Sequence, residues 1–303
     1  MKADASRQIG HQHMPSEHGQ PHGRPIRKKR AWHLGTVLLH LALILGSVVM
    51  VFPFLWTISS SLKDISQIFM MPPSWVPDPF VWSNYVDTLR AMPFDVAYFN
   101  SFYISIVVVV ASLLTCSLAA YAFAKIKFPG AGIVFILFLS MMMIPKQVTI
   151  VSLYVVIQKL GWVDSHLSII MPAAFFNAFG VFLLRQFMMG IPRDLEEASI
   201  MDGANPLRIY WNVMLPLVRS ALVAFGIFAF KDIWNQFLDP LIFLSTPERF
   251  TVPLMLNMFK GLYVADWALM MAGTAISVIP VLIVYVIAQR HIIEGIALTG
   301  IKG

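Results

Sequence analysis

Thiols are almost absent from this chain: Cys116 is the only cysteine among 303 residues. No intrachain disulfide and no thiolate metal cluster can form, and a lone thiol inside an apolar run leaves the redox compartment open. Charge is nearly as scarce. Asp, Glu, Lys and Arg make up 13% of the chain, about half of the roughly 25% usual for soluble domains. The chain is also 58% hydrophobic, and single soluble cores stop growing at about 250–300 residues. A soluble globular class is therefore excluded, and lipid must cover the surplus apolar surface. Catalytic motifs are missing too. There is no G-x-x-x-x-G-K-[ST] phosphate loop, no H-E-x-x-H and no G-x-S-x-G, so nothing equips this chain to hydrolyse ATP itself. An intramembrane enzyme finds no paired-acid or nucleophile constellation.

What is present is a series of apolar runs. Residues 1–33 are polar and rich in His, Gly, Pro and Gln, and hold five of the eight histidines. They read as a disordered, basic, His-rich cytoplasmic tail. The irregular His spacing, without acidic or Cys partners, predicts no metal site. Arg27, Lys28, Lys29 and Arg30 precede a first run from Leu34 to about Ile58, which is too long and starts too late for a signal peptide. Five more runs reach the roughly 20 residues needed to span a bilayer: Ser101–Ala124, Ala131–Val156, His166–Met189, Leu217–Phe243 and Trp267–Gln289. The expected fold is all-α and polytopic, with six transmembrane helices in residues 34–303, because open strands would leave backbone groups unpaired in hydrocarbon. Pro53, Pro145, Pro172, Pro240 and Pro280 interrupt the runs. They either shape packing or line a pathway. With the amino end inside, Lys and Arg divide 13 to the inner flanks and 5 to the outer loops. That bias predicts both termini in the cytoplasm. The net charge of +6 then suits the anionic inner leaflet rather than nucleic acid. In the outer segment Ser59–Asn100, the prolines argue against a long helix, and Trp75, Trp82 and Tyr85 suit either the membrane interface or a docking surface for an external protein.

One polar segment, at about 190–216, stands between two apolar runs. Pro192 suits a first helical turn, and Asp194, Glu196 and Glu197 suit a helix amino end. Leu195, Ala198 and Met201 share a face. Gly203 accepts a left-handed stop. Asn205-Pro206 starts a second short helix over Leu207–Leu215, and Pro216 opens the fifth span. The result is two short helices joined by a turn at the inner surface. Physics alone leaves two roles open: an interfacial amphipathic anchor, or a rigid lever that a partner grips.

Polar residues also sit inside the runs. Lys231 and Asp232 lie beside Trp234, Asn235 and Gln236, and a charge at the bilayer centre costs about 2.5–3.5 kcal/mol. These residues must face a cavity, a partner or an internal counter-charge, as when Lys231 pairs with Asp232. Lys146 and Gln147, beside Pro145, raise the same question in the third run, with snorkelling of Lys146 as the alternative. Met141-Met142-Met143 reads as adaptable packing.

Glu197-Ala198, Asp202-Gly203-Ala204 and Leu215-Pro216 resemble the EAA loop of ABC-type import permeases, with Ser199 where a second alanine is usual. Further similarity runs through Pro53-Phe54-Leu55-Trp56, Ser59-Ser60-Ser61-Leu62-Lys63, Asn84-Tyr85, Asn100-Ser101, Ala119-Ala120-Tyr121-Ala122-Phe123, Trp234-Asn235, Pro240-Leu241, Glu294-Gly295 and Gly300-Ile301-Lys302-Gly303. The chain looks like the maltose-permease-G-like subunits of the carbohydrate-uptake branch, although Gln236 stands where an acidic residue is more frequent. The resemblance implies a type I ABC importer permease fold in a bacterial or archaeal inner membrane. It implies a heterodimer with a second permease, two cytoplasmic ATPase subunits that use ATP and Mg, and an external solute-binding protein. It implies no cofactor bound by this chain. Glu196, Glu197, Ala198, Asp202, Gly203, Ala204 and Pro216 would form the coupling loop, docked in a cleft of the ATPase. Gly295, Gly300, Lys302 and Gly303 would reach the ATPase interface. The expected cargo is a sugar, oligosaccharide or related polyol, and the Lys231–Gln236 face would then either line the sugar's route, with Trp234 stacking on a sugar ring and Asn235 bonding its hydroxyls, or hold the permease pair together. A permease for a polyol phosphate is the neighbouring alternative. An ion-coupled carrier is the more distant one, since it could exploit Lys231 and Asp232 but would not need the EAA-like loop.

Overall fold

The computed structural model describes residues 34–261 and 266–300, with side chains as far as residue 289. The predicted tail at 1–33 lies outside the described residues. Contacts divide the chain into two units at Met50/Val51. The described part of the first unit is the start of α1 (Leu34–Ser61). Its residues from 34 to 50 are almost all exposed and apolar, as suits a surface covered by lipid or another apolar partner.

In the second unit every regular element described is helical. The segment between the first run and α4 holds only α2 (Ile65–Ile68) and α3 (Ser83–Ala91), as its prolines require. The buried Lys63 ties it together: its ammonium donates to the Ser74 carbonyl at 2.5 Å and lies 4.5 Å over the Trp56 ring. Asn84 donates to the carbonyls of Ser61 and Lys63, both at 2.9 Å.

The organising element is α4 (Phe94–Lys125), which starts seven residues before the predicted run because Pro93 and Asp95 favour a helix start there. Its 32 residues reach about 48 Å, longer than a hydrocarbon core. Ala97, Ser101, Ser105, Ser112, Ser117 and Ala120 make its buried face small, which lets neighbouring backbones approach. The spans packed on it are broken. The third run becomes α5 (Ala131–Ser140), a 3-10 turn at Met141–Met143 and α6 (Lys146–Lys159), bent by 105° at Ile144-Pro145. The fourth becomes α7 (Leu167–Phe175) and α8 (Ala178–Met189). Hydroxyls of α4 satisfy carbonyls freed at that break: Ser112 donates to Ala173 at 3.2 Å and Thr115 to Ala174 at 2.6 Å. The Asn177 side chain caps α8 by accepting from the Gly180 amide at 2.9 Å. Gly180 allows the crossing with the fifth span, since a Cβ there would fall 2.3 Å from the Phe225 ring.

The polar segment holds α9 (Asp194–Met201), α10 (Pro206–Ile209), a π turn at Tyr210–Met214 and α11 (Leu215–Leu217). The chain then turns by 80° at Val218 into α12 (Arg219–Trp234). Two expectations are corrected here. Pro216 does not open the fifth span but lies in the short turn before the bend. The fifth helix stops at Trp234 rather than running to Phe243, because the Pro240 ring would collide with the Gln236 carbonyl in a continuous helix. The chain resumes as α13 (Leu238–Phe243), a 3-10 turn at Pro247–Arg249 and α14 (Val252–Met258). Finally α15 (Trp267–Gly300) runs beyond the expected Gln289. Among the described residues, four helical stretches are long and apolar enough to cross a membrane, and six when each bent pair counts as one span.

Two apolar clusters share α4. One gathers Phe94, Ile104 and Val108 with Phe230, Trp234 and Met255. The other gathers Cys116, Ala120 and Tyr121 with Leu184, Met188, Tyr210, Met214 and Phe225. Between α6 and α7, Asp164 takes a left-handed backbone. It accepts from the Thr246 hydroxyl at 2.5 Å and the Ser245 and Thr246 amides at 2.9 and 3.0 Å. These bonds, the Thr246 hydroxyl foremost, hold its carboxyl well below the ordinary range.

Candidate functional site

A cavity of about 610 Å³ lies where three spans break. Its wall takes Met142, Ile144 and Lys146 from the α5–α6 bend, Pro172, Phe176 and Asn177 from the α7–α8 break, and Ala229, Asp232, Ile233, Gln236 and Asp239 from the end of α12 and the start of α13. Irregular backbone at membrane depth is tolerated where it lines such a space. The Lys146 ammonium stands 2.7 Å from Asp239 Oδ2, and Gln236 Nε2 donates to the same oxygen at 2.7 Å. Asp239 is 2% exposed, so this bridge from α6 to α13 is anchored on a buried carboxylate.

The residues expected along a solute route divide. Asp232 lines the cavity. Lys231 is exposed and makes no ion pair with Asp232 among the described residues. Asn235 caps α12, donating through Nδ2 to the Lys231 carbonyl at 2.8 Å. Trp234 is 2% exposed, and its indole donates to the Ser277 carbonyl at 3.0 Å. It meets Tyr98 edge-on and stacks on Phe230. The expected stacking of Trp234 on a sugar is therefore corrected. The helical period puts Ala229, Asp232 and Gln236 toward the cavity and turns Phe230 and Trp234 toward α4 and α15. Phe176, at the end of α7, presents the aromatic ring that the cavity wall does have. The Lys146–Asp239 pairing is what sequence reasoning missed. A signal existed, since each charge neighbours a proline inside an apolar run, and the two carry opposite signs.

The second candidate is the α9–α10 segment. Its first turn carries Asp194, Glu196 and Glu197. Gly203 stops the helix at φ 78°, with its amide on the Ile200 carbonyl at 2.9 Å and that of Ala204 on Ser199 at 3.0 Å. The Asn205 carboxamide caps α10 by accepting from the Arg208 amide at 2.8 Å. These local expectations hold. Glu197, Ala198, Asp202, Gly203 and Pro216 are exposed, while Glu196 and Ala204 are half-buried. Glu196 lies 3.9 Å from the Lys125 ammonium, which also donates to the Ile191 carbonyl at 2.8 Å, so the end of α4 braces the base of α9. Deeper, the Tyr210 hydroxyl meets that of Ser117 at 2.7 Å. The apolar residues of α9 do not form one stripe. Leu195, Ile200 and Met201 are 45%, 57% and 87% exposed, and Ile200 and Met201 lie about 140° and 240° around the helix from Leu195. Of the carboxyl-terminal candidates, Lys302 and Gly303 lie outside the described residues, and for Gly295 and Gly300 only the helical backbone is described.

Known proteins agree with this architecture. The family model for the binding-protein-dependent transport system inner membrane component matches residues 35–297. The probable ABC transporter permease protein YurM of Bacillus subtilis is 29% identical over 297 residues, which cover 96% of this chain and 95% of that protein. The arabinooligosaccharides transport system permease protein AraQ of Halalkalibacterium halodurans is 31% identical over 269 residues, covering 88% and 96%. A solved bacterial ABC transporter involved in the import of the acidic polysaccharide alginate has the same fold, with a TM-score of 0.73 at 23% identity, covering 86% of this chain and 97% of that one. The chain belongs to the binding-protein-dependent transport system inner membrane components, the permease family of ABC importers.

Proposed function

We propose that this chain forms half of the translocation pathway of a sugar importer and receives its driving force through α9. In this reading a second permease completes the pathway, two separate ATPase subunits use ATP and Mg, and a solute-binding protein delivers the sugar from outside. Both termini and the 190–218 segment face the cytoplasm, consistent with the Lys and Arg distribution. Glu197, Ala198, Asp202 and Gly203 form the gripped surface. Lys125 and Tyr210 carry its displacement into α4 and α12, and the cavity between the broken spans changes its access.

The observation that carries the reading is the scatter of exposed apolar residues around α9. An interfacial anchor would keep them in one stripe facing lipid. Residues on opposite sides suit a helix enclosed by a socket. Each state must differ in its contacts for nucleotide to shift the balance between them, and a socket closing on all sides of α9 supplies such a difference. Vesicles containing the whole importer test the reading. Uptake of a labelled neutral oligosaccharide should follow ATP and persist after an ionophore abolishes ion gradients. Gradient-driven uptake by this chain alone would replace the reading with a secondary carrier.

A further inference from the structure

We infer that the cavity between the broken spans selects uncharged, hydroxyl-rich solutes and turns away anions such as uronates and sugar phosphates, with Asp232, Gln236 and Asp239 making the selection. The inference rests on the reading of this cavity as the solute's route. Its wall holds two carboxylates, Asp232 and Asp239, and one ammonium, Lys146. Lys146 is already 2.7 Å from Asp239, so that pair is neutral as a unit and Asp232 leaves the wall with one net negative charge. Low-dielectric walls strengthen such a field over its value in water.

The unused hydrogen-bonding capacity has the same polarity. Asp239 Oδ1 and Gln236 Oε1 are buried and have no hydrogen-bond partner among the described residues, although both residues line the cavity. Asp239 Oδ2 accepts from Gln236, so the amide nitrogen must face the carboxylate and the amide oxygen is the atom left over. Both orphaned atoms are acceptors, and leaving them unpaired carries a desolvation penalty. Both atoms are closed off as they stand, and rotation of the Gln236 or Asp239 side chain toward the cavity lets a sugar hydroxyl donate to them and relieve that penalty. A carboxylate or phosphate dianion donates none and meets repulsion from Asp232. The exposed ring of Phe176 offers an apolar face beside these acceptors. The volume of about 610 Å³ falls within the roughly 300–1,000 Å³ of small-molecule sites.

The charge of the wall is readable without knowing the sugar. Cys116 is the only native thiol and is buried. A Cys116→Ser background therefore carries one new thiol when Ser152, on the cavity wall, becomes cysteine. In vesicles of the whole importer without nucleotide, modification of this subunit, separated from the others after quenching, is timed with a trimethylammonium and a sulfonate methanethiosulfonate of similar size. Each rate is divided by that reagent's rate on a free small thiol. The cationic reagent should be favoured at least about ten-fold at low salt. Asp232→Asn should bring the ratio near one, and 1 M salt, with a Debye length of about 3 Å, should do so in the parent even where that variant fails to assemble. Parity in the parent, preference for the anionic reagent, or no reaction with either overturns the inference. So does ATP-driven uptake of a uronate oligosaccharide at the rate of its neutral counterpart. The ratio needs neither nucleotide nor transport. Parity with intact ATP-driven uptake sinks only the selection, and a strong ratio without such uptake sinks only the transport reading.

Discussion

The two halves of the 190–218 segment are built on opposite terms. In α9 no residue is buried, and its apolar side chains stand around the helix in solvent. Eight residues beyond the end of α9 the chain is rooted: Ile209, Tyr210, Met214 and Val218 are each 2% exposed or less and pack with Ala120, Tyr121, Leu184 and Phe225. Only the turn at Gly203–Asn205 separates them. The difference assigns each half its work. The rooted half moves only if the α4–α8–α12 packing moves with it, because close-packed interiors transmit strain. The open half adds little to the folded chain and is free to be shaped by what it meets.

That contrast breaks if substitutions in the two halves have the same consequence. Met214→Ala, in the rooted half, should have the largest effect on stability. It deletes a fully buried side chain and leaves a cavity, at a cost of about 2–5 kcal/mol. A fall in the thermal unfolding midpoint of the detergent-purified importer measures it, and an unchanged midpoint would show that the root is not packed as described. Gly203→Pro, in the turn, should abolish coupling instead. Proline cannot adopt the φ of 78° found there, and its missing amide removes the bond to Ile200. Insertion and the unfolding midpoint should stay close to those of the parent because α9 buries nothing, while ATP-driven uptake falls at least about ten-fold. Normal uptake by this variant would remove α9 from the coupling path.

The open half was legible in the sequence because its signals are local. Acidic residues at 194, 196 and 197, a glycine at 203 and Asn205-Pro206 each act within one turn of the backbone. The apolar runs announced the spans for the same reason, and Pro145 marked the 105° bend. The cavity was harder to read. Lys146 and Asp239 are 93 positions apart and meet only because the third and fifth spans are both interrupted. Trp234 and Asp232 are sequence neighbours, but 200° of helix separates their directions, at 100° per residue. Without the end of α12 in view, the tryptophan reads as a sugar platform, whereas it belongs to the packing between α4, α12 and α15. The π turn at Tyr210–Met214 left a single local mark, Pro216. It is shaped by tertiary packing and by Pro216, which lacks the amide a regular helix would direct at Asn212.

The smallest expected effect sharpens the comparison most. Tyr210→Phe removes the hydroxyl that meets Ser117 and keeps the ring, which packs against Tyr121 and Trp211. Little stability is at stake, because Ser117 also donates to the Leu113 carbonyl of its own helix and is not orphaned. The change should cost about 0.5–1 kcal/mol, near the low end for a hydrogen bond. Its consequence for transport depends on what joins the rooted half to α4. If shape alone transmits the displacement, uptake per ATP hydrolysed should stay at the parent's value. If the hydroxyl pair holds the π turn in register with α4, hydrolysis should continue while uptake per ATP falls about two- to five-fold, the factor that a loss of 0.5–1 kcal/mol produces in an equilibrium. The braced geometry favours the second outcome, since Lys125 grips the base of α9 rather than the root.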